Sequence, residues 1–245
     1  MTNRLKLSAL AFLTMLFSFG QQNINPKIIS INPDLIKDET YTMKWYMIVD
    51  TLKHELGSVV TKIQKSGEKL TIITDVKMPQ ATKPWVDSTV VAIRDFSPIY
   101  HSSYNQNRDM AINYGNSVSG YHLDNKTDKK IELNESPTIS FFDSSSYPQL
   151  IRFLPLAEGY TCTLDIFDFN PNAKTGTMAV HVKDVSSTQF TTKTGEREVW
   201  KVYVTDDISD NQANIYYYIE KSTGILLQQE VDITGRKMVM IREGI

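Results

Sequence analysis

The chain has 245 residues, of which 41% are hydrophobic and 22% charged, enough for one large or two modest domains and too apolar for wholesale disorder. Its 26 Lys and Arg against 28 Asp and Glu give a formal charge of -2, without the basic surplus that grips nucleic acid. One cysteine, Cys162, excludes an internal disulfide and a cysteine-built zinc cluster.

Residues 1–20 carry the three parts of a secretory signal peptide. Arg4 and Lys6 supply the positive start, Leu7–Phe17 a mostly apolar run of eleven residues, and Ser18-Phe19-Gly20 small side chains at -3 and -1 before Gln21. Eleven residues are too few to span a bilayer as a helix. No cysteine follows the cleavage site, so a lipidated N-terminus is not expected. Cleavage would remove Arg4 and Lys6 and take the formal charge to -4. The expectation is an exported protein, periplasmic or extracellular, soluble, and not integral to the membrane once the signal is gone.

Residues 21–39 read as an N-terminal arm and 40–245 as a single antiparallel β domain. In the arm, Asn32-Pro33-Asp34 predicts one capped helical turn, with Asn at the cap and Pro at the first helical position. From Thr40 the period becomes two: Tyr41, Met43, Trp45, Met47 and Val49 fall on one strand face, Thr42, Lys44 and Asp50 on the other. Leu70, Ile72, Thr74, Val76 and Met78 repeat the pattern, and His54–Gln64 lies between as a partner strand. Further strands are expected over 86–94, 98–105, 108–114, 117–124, 129–133, 160–169, 177–185, 196–205, 214–220, 225–233 and 237–242, separated by turn formers such as Ser222-Thr223-Gly224. Strands so close leave no room for crossover helices, so the sheet is expected to be mostly antiparallel. One segment breaks the rhythm. Ser144–Ser146 offers caps, Pro148 sits early, and Leu150, Ile151, Phe153 and Leu154 follow at helical spacing until Pro155. This short helix is apolar on one side and is expected to cover the concave face of the sheet. Leu154, and Trp200 on the strand face of Val202 and Val204, are expected in the core.

Several motifs of chemistry fail on spacing. Gly115-Asn116-Ser117-Val118-Ser119-Gly120 misses the nucleophile elbow by one residue. His54-Glu55 begins a zincin pattern, but Ser58 stands where the second histidine belongs. Asp168-Phe169-Asn170-Pro171-Asn172 imitates a calcium loop, but Ala173 and Ala179 replace its glycine and bidentate glutamate. Asp206, Asp207 and Asp210 read as a solvated acidic loop. No catalytic residue, metal ligand or cofactor motif is assigned.

What remains is a surplus of large apolar side chains. Trp45 and Tyr46, Tyr216 and Tyr217, and Phe141 and Phe142 are adjacent pairs that must face opposite sides of a strand. Either something packs on the second face or a cavity opens there.

The segment Arg152-Phe153-Leu154-Pro155-Leu156-Ala157-Glu158-Gly159-Tyr160, and the run Tyr216-Tyr217-Tyr218-Ile219-Glu220-Lys221-Ser222-Thr223-Gly224-Ile225-Leu226-Leu227-Gln228-Gln229-Glu230, resemble a bacterial secreted family known as domain of unknown function 3108. The C-terminal run is also similar to the ending of periplasmic lipoprotein carriers of the LolA and LolB type. The resemblance spans roughly 40–245. It implies a large curved antiparallel sheet, a half-open barrel, with one or two short helices on the concave side, and a hollow that in the carriers holds acyl chains. The family brings no agreed catalytic residues. The expected function is therefore a non-enzymatic envelope protein binding a lipid or acyl chain, with Trp45, Tyr46, Arg152, Phe153 and Leu154 as candidate ligand contacts and Arg152 set either for an anionic head group or for a structural salt bridge. The alternatives are an assembly module that meets another envelope protein, and a hydrolase whose residues converge only in the fold.

Overall fold

The computed structural model describes residues 22–245; the expected signal peptide lies outside them. Sixteen strands form one sheet. In chain order they are β1 (Gln22–Ile24), β2 (Glu39–Val49), β3 (Leu52–Ser66), β4 (Lys69–Lys77), β5 (Trp85–Ala92), β6 (Pro98–Tyr104), β7 (Arg108–Tyr114), β8 (Val118–Asp124), β9 (Lys129–Glu135), β10 (Phe142–Asp143), β11 (Cys162–Phe169), β12 (Thr175–Thr192), β13 (Gly195–Asp206), β14 (Ala213–Glu220), β15 (Leu226–Ile233) and β16 (Arg236–Arg242). Two antiparallel meanders, β2 to β9 and β11 to β16, are joined where β16 pairs with β2, Met240 opposite Trp45. β1 and β10 both add to β11 in parallel, one at each end of its free edge.

The period-two reading locates the long strands within a few residues. β12 runs to Thr192, beyond the expected 185, because its distal half is a polar ribbon paired only with β13. β1 and β10 are too short for any periodicity to show. The Asn32 turn forms as expected: its side-chain oxygen accepts from the Asp34 amide at 3.1 Å, and Pro33–Leu35 make one 3-10 turn.

The sheet does not close by hydrogen bonding; it rolls past closure. Strand register puts Thr89, His101, Ile112 and Leu133 on the same inner face as Ile72. On β11 that inner face carries Cys162, Leu164 and Ile166, which are buried in the main core, while Phe167 and Phe169 project from its other face. Those two phenylalanines pack against Met110, Ile112, Val118 and Leu133 of β7 to β9. The inner face of one end therefore lies over the outer face of the other. This overlap explains why Phe141 and Phe142 are both buried or half-buried: Phe142 enters the main core, while Phe141 stacks 5.2 Å from Phe167 in the overlap.

Inside the roll sits the one helical plug, α1 (Tyr147–Leu150) continued by a 3-10 turn over Ile151–Phe153. Leu150, Ile151, Phe153 and Leu154 are buried, and Phe153 meets Phe96 at 5.9 Å. The chain runs helically only as far as Pro155 permits. Leu154 is in the core as expected. Trp200 is only partly buried, at the rim of that core, because Lys221 lies 4.0 Å over its ring where a further apolar layer would be needed.

Of the four places where strand register shifts, the one on β3 lies nearest Trp45. On β3 an extra residue stands between Glu55, opposite Tyr46, and Gly57, opposite Trp45. A side chain on Gly57 would meet the Lys77 carbonyl oxygen at 2.1 Å, so the close approach of β4 requires glycine there.

Candidate functional site

At the end of the inner face that the plug does not reach, the sheet lines a half-open hollow of about 240 Å³. Trp45 of β2, Val59 of β3, Val76 of β4 and Trp85 of β5 form one side. Val231 of β15 and Met238 and Met240 of β16 form the other, and Gln229 contributes a polar side chain. These residues meet because alternate positions of adjacent strands stand side by side: Trp45 pairs with Met240, Val59 with Val76, Val76 with Trp85, and Val231 with Met238. The Trp85 indole N–H is satisfied by Asp87 at 3.0 Å, which fixes the ring without placing a donor in need of a partner.

Of the residues singled out from sequence, Trp45 lines this hollow. Tyr46 faces the opposite side of β2, half-buried, with the Lys53 ammonium 5.8 Å from its ring. Arg152, Phe153 and Leu154 belong to the plug and do not line the hollow. Arg152 is 2% exposed and fully engaged: Nε donates to the Gly224 carbonyl at 2.8 Å, one terminal nitrogen to Gln149 at 2.6 Å, the other to Glu39 at 2.5 Å. Arg242 also reaches Glu39, at 3.4 Å; the Tyr41 ring lies against both guanidinium groups, and its hydroxyl oxygen accepts from the Gln149 side-chain amide at 3.0 Å. Trp85, Val231, Met238 and Met240 were the residues the linear pattern missed. Each sits at a strand position of the right parity, but which strand neighbours β2 on its far side is written only in the fold.

A second cluster tests the hydrolase alternative. Asp143 of β10 is wholly buried where the roll overlaps. It accepts hydrogen bonds from Thr89 at 3.2 Å, Tyr114 at 3.0 Å and the Ser145 amide at 3.3 Å, and His101 Nδ1 lies 3.2 Å away. Ser145 Oγ then completes a serine, histidine and aspartate set. Its distances to the two ring nitrogens are nearly equal, 3.4 Å to Nδ1 and 3.2 Å to Nε2, so the hydroxyl lies over the imidazole and not along the Nε2 lone pair. Proton transfer from serine to histidine needs the in-line approach. The cluster instead ties β10 to β5, β6 and β7, a clasp across the overlap. Burial alone would depress the His101 pKa; Asp143 overcomes it and holds the group above its ordinary 6.5. Burial likewise raises the Tyr114 hydroxyl, with Asp143 adding to the effect.

Elsewhere the acidic residues are occupied by structure. Asp206 takes the Ser209 amide at 2.9 Å and the Tyr147 hydroxyl at 2.9 Å, and Asp207 takes the Ala179 amide at 3.0 Å. The Asp168–Asn172 loop is a hairpin turn in which Asn170 caps the Asn172 amide at 3.1 Å. Cys162 is buried and its thiol is pushed up to about 11 by that burial, far from thiolate chemistry. Among the described residues no three His, Cys, Asp or Glu side chains converge to hold a metal ion, and no helix is long and apolar enough to cross a membrane.

A rolled antiparallel sheet with a helical plug and an apolar inner hollow places the chain among barrel-like β proteins. The family model described as protein of unknown function (DUF3108) matches residues 40–242, and the chain belongs to that family. It is similar in fold to a beta-barrel-like protein of domain of unknown function DUF1849 from Brucella abortus, with a TM-score of 0.54 and 11% identity over 87% of this chain and 97% of the other. No curated protein matches.

Proposed function

We propose that this is an exported, non-enzymatic envelope protein that holds an apolar ligand, a lipid or acyl chain, in the hollow between Trp45, Trp85 and Met240. The observation that carries the reading is the hollow itself: seven of its eight lining side chains are apolar or indole, and none comes from the plug. Where the plug lies, the inner face of the sheet is filled by Leu150, Ile151, Phe153 and Leu154, whereas here two tryptophans and two methionines line a hollow. Methionine suits a site that must adapt to flexible chains. The signal-like residues 1–20 and the likeness of the C-terminal run to lipoprotein carriers support an envelope setting.

The volume of about 240 Å³ holds about eight groups of about 30 Å³ each. At about 0.8 kcal/mol per buried methylene, filling it gains about 6 kcal/mol before ordering costs, which sets tens of micromolar as the tightest binding the hollow alone supports. The test is titration of the protein, begun at Gln21, with a fluorescent fatty acid, read by probe emission and by tryptophan quenching. Saturable binding below about 100 µM is expected, weakened at least about tenfold in Trp45→Ala. Absence of saturable binding refutes the reading. Export is tested separately by N-terminal sequencing of the protein from its host, which is expected to begin at or near Gln21.

A further inference from the structure

The apolar hollow has a polar neighbour. A second hollow, of about 430 Å³, is lined by the same Val76 and Trp85, and beyond them by Lys83, Asn105, Asn107 and Arg108. Arg108 opens β7 on the inner face of the sheet, in register with Asp124 of β8, and is half-buried.

Arg108 forms no ion pair among the described residues, although its charge is felt by the carboxyl of Asp168. Nε and one terminal nitrogen of Arg108 both donate to a single acceptor, the buried Ser103 hydroxyl, at 3.3 and 3.1 Å. Among the described residues no carboxylate lies within ion-pair distance of it, whereas Arg94, Arg152, Arg197 and Arg242 each have one. The cross-strand neighbour Asp124 spends an oxygen on the amides of Lys126 and Thr127, at 2.8 and 3.1 Å. Lys83, exposed on the approach to β5, has no carboxylate partner either. A half-buried guanidinium given only one hydroxyl acceptor keeps most of its donors free for a ligand. Its charge reaches His122 on β8: burial first, and Arg108 second, hold the imidazole below its ordinary 6.5. The buried Nδ1 of His122 has no hydrogen-bond partner.

We propose that the ligand is an anionic amphiphile, its alkyl chain in the apolar hollow and its carboxylate or phosphate paired with Arg108, with Lys83 adding charge at the mouth. This rests on the apolar-ligand reading above and names the head group. The geometry gives the assignment: one wall, Val76 and Trp85, is common to an apolar space sized for a short alkyl segment and to a space of mixed polarity, also lined by Met78 and Ala81, that holds an arginine without an ion pair. Arg152, the arginine singled out by sequence, is excluded from this task by its three internal partners.

The experiment measures dissociation constants for decanoate, decyl phosphate and 1-decanol by displacement of a fluorescent fatty acid at pH 7.5, on wild type, Arg108→Gln and Lys83→Gln. In wild type, the better of the two anions is expected to bind at least about tenfold tighter than the alcohol, consistent with one charge-assisted pair, and added salt is expected to narrow the gap. Whichever of decanoate and decyl phosphate binds tighter identifies the head group. Arg108→Gln is expected to remove the anionic advantage while leaving 1-decanol affinity unchanged, which also shows that the variant is folded; Lys83→Gln is expected to remove about half of the advantage on a logarithmic scale. Equal affinity for anion and alcohol in wild type, or an anionic advantage that survives Arg108→Gln, overturns the head-group assignment while the apolar hollow stands. Failure of all three ligands to displace the probe overturns both readings.

Discussion

Replacing Arg152 by Met preserves most of its side-chain volume while deleting a charge that is 2% exposed. Three hydrogen bonds disappear together: to the Gly224 carbonyl, to Gln149 and to Glu39. Glu39, itself 17% exposed on its side chain, is left with Arg242 at 3.4 Å. Removing one partner of a buried ion pair costs about 3–5 kcal/mol, and the surviving Arg242 contact places this case near the lower figure. For a chain of this length about 1 kcal/mol moves the midpoint by roughly 2–4 °C, so a fall of about 6–12 °C is expected in calorimetry. The paired variant Glu39→Gln, Arg152→Met removes the stranded carboxylate and should recover about half of the loss. Fatty-acid affinity measured below the transition should be unchanged, because Arg152 lines neither the apolar hollow nor its polar neighbour. A midpoint within about 2 °C of wild type in the single variant would refute the view that this guanidinium holds the plug to β2 and to the β14–β15 turn.

Three further expectations concern the plug, the clasp and the bulge. Phe153→Ala and Leu154→Ala should each lower stability by about 2–5 kcal/mol in denaturant titrations, since both side chains are almost wholly buried. His101 should make stability pH-dependent. Burial opposes the imidazolium but Asp143 overcomes it, so the folded pKa exceeds the unfolded 6.5; the contribution is complete below about pH 6.5 and is lost as pH rises through the folded pKa. The stability difference between wild type and His101→Gln should therefore shrink from pH 6 upward, and a difference that grew with pH would contradict the clasp. Gly57→Ala drives a methyl into the Lys77 carbonyl and should cost about 3 kcal/mol by chemical denaturation, with the β3–β4 amides the first to lose hydrogen-exchange protection.

The strands were legible because their patterning is local. Tyr41, Met43 and Trp45, or Leu70, Ile72 and Val76, declare a buried face by alternation alone, and Pro155 stops the helix where a proline must. The clasp was not legible, because Thr89, His101, Tyr114 and Asp143 come from four strands with no sequence spacing in common. The hollow was half legible: Trp45 stood out as a large residue on a strand, but Met240 and Trp85 become its neighbours only through the register of β16 and β5. Arg152 was conspicuous for its place in a distinctive segment, and Arg108 was not, since a missing counter-charge is a property of three dimensions. Phe141 and Phe142 gave the sharpest hint, two adjacent bulky residues that a one-faced sheet cannot bury, and the rolled overlap is the answer.

The pairing of β16 with β2, Arg242 opposite Met43, has a consequence for how the molecule comes into being. β16, which joins the two meanders, follows every other described strand in the chain, and its partner β2 precedes all but one of them. β1 waits in the same way for Cys162–Leu164. Each half can zip locally, but neither the hollow nor the overlap exists until the final strand is delivered. Contacts of such long range make folding slow and place it after synthesis. Until β16 is laid against β2, Trp45 and Met240 stay on separate meanders and the wall they share is not built.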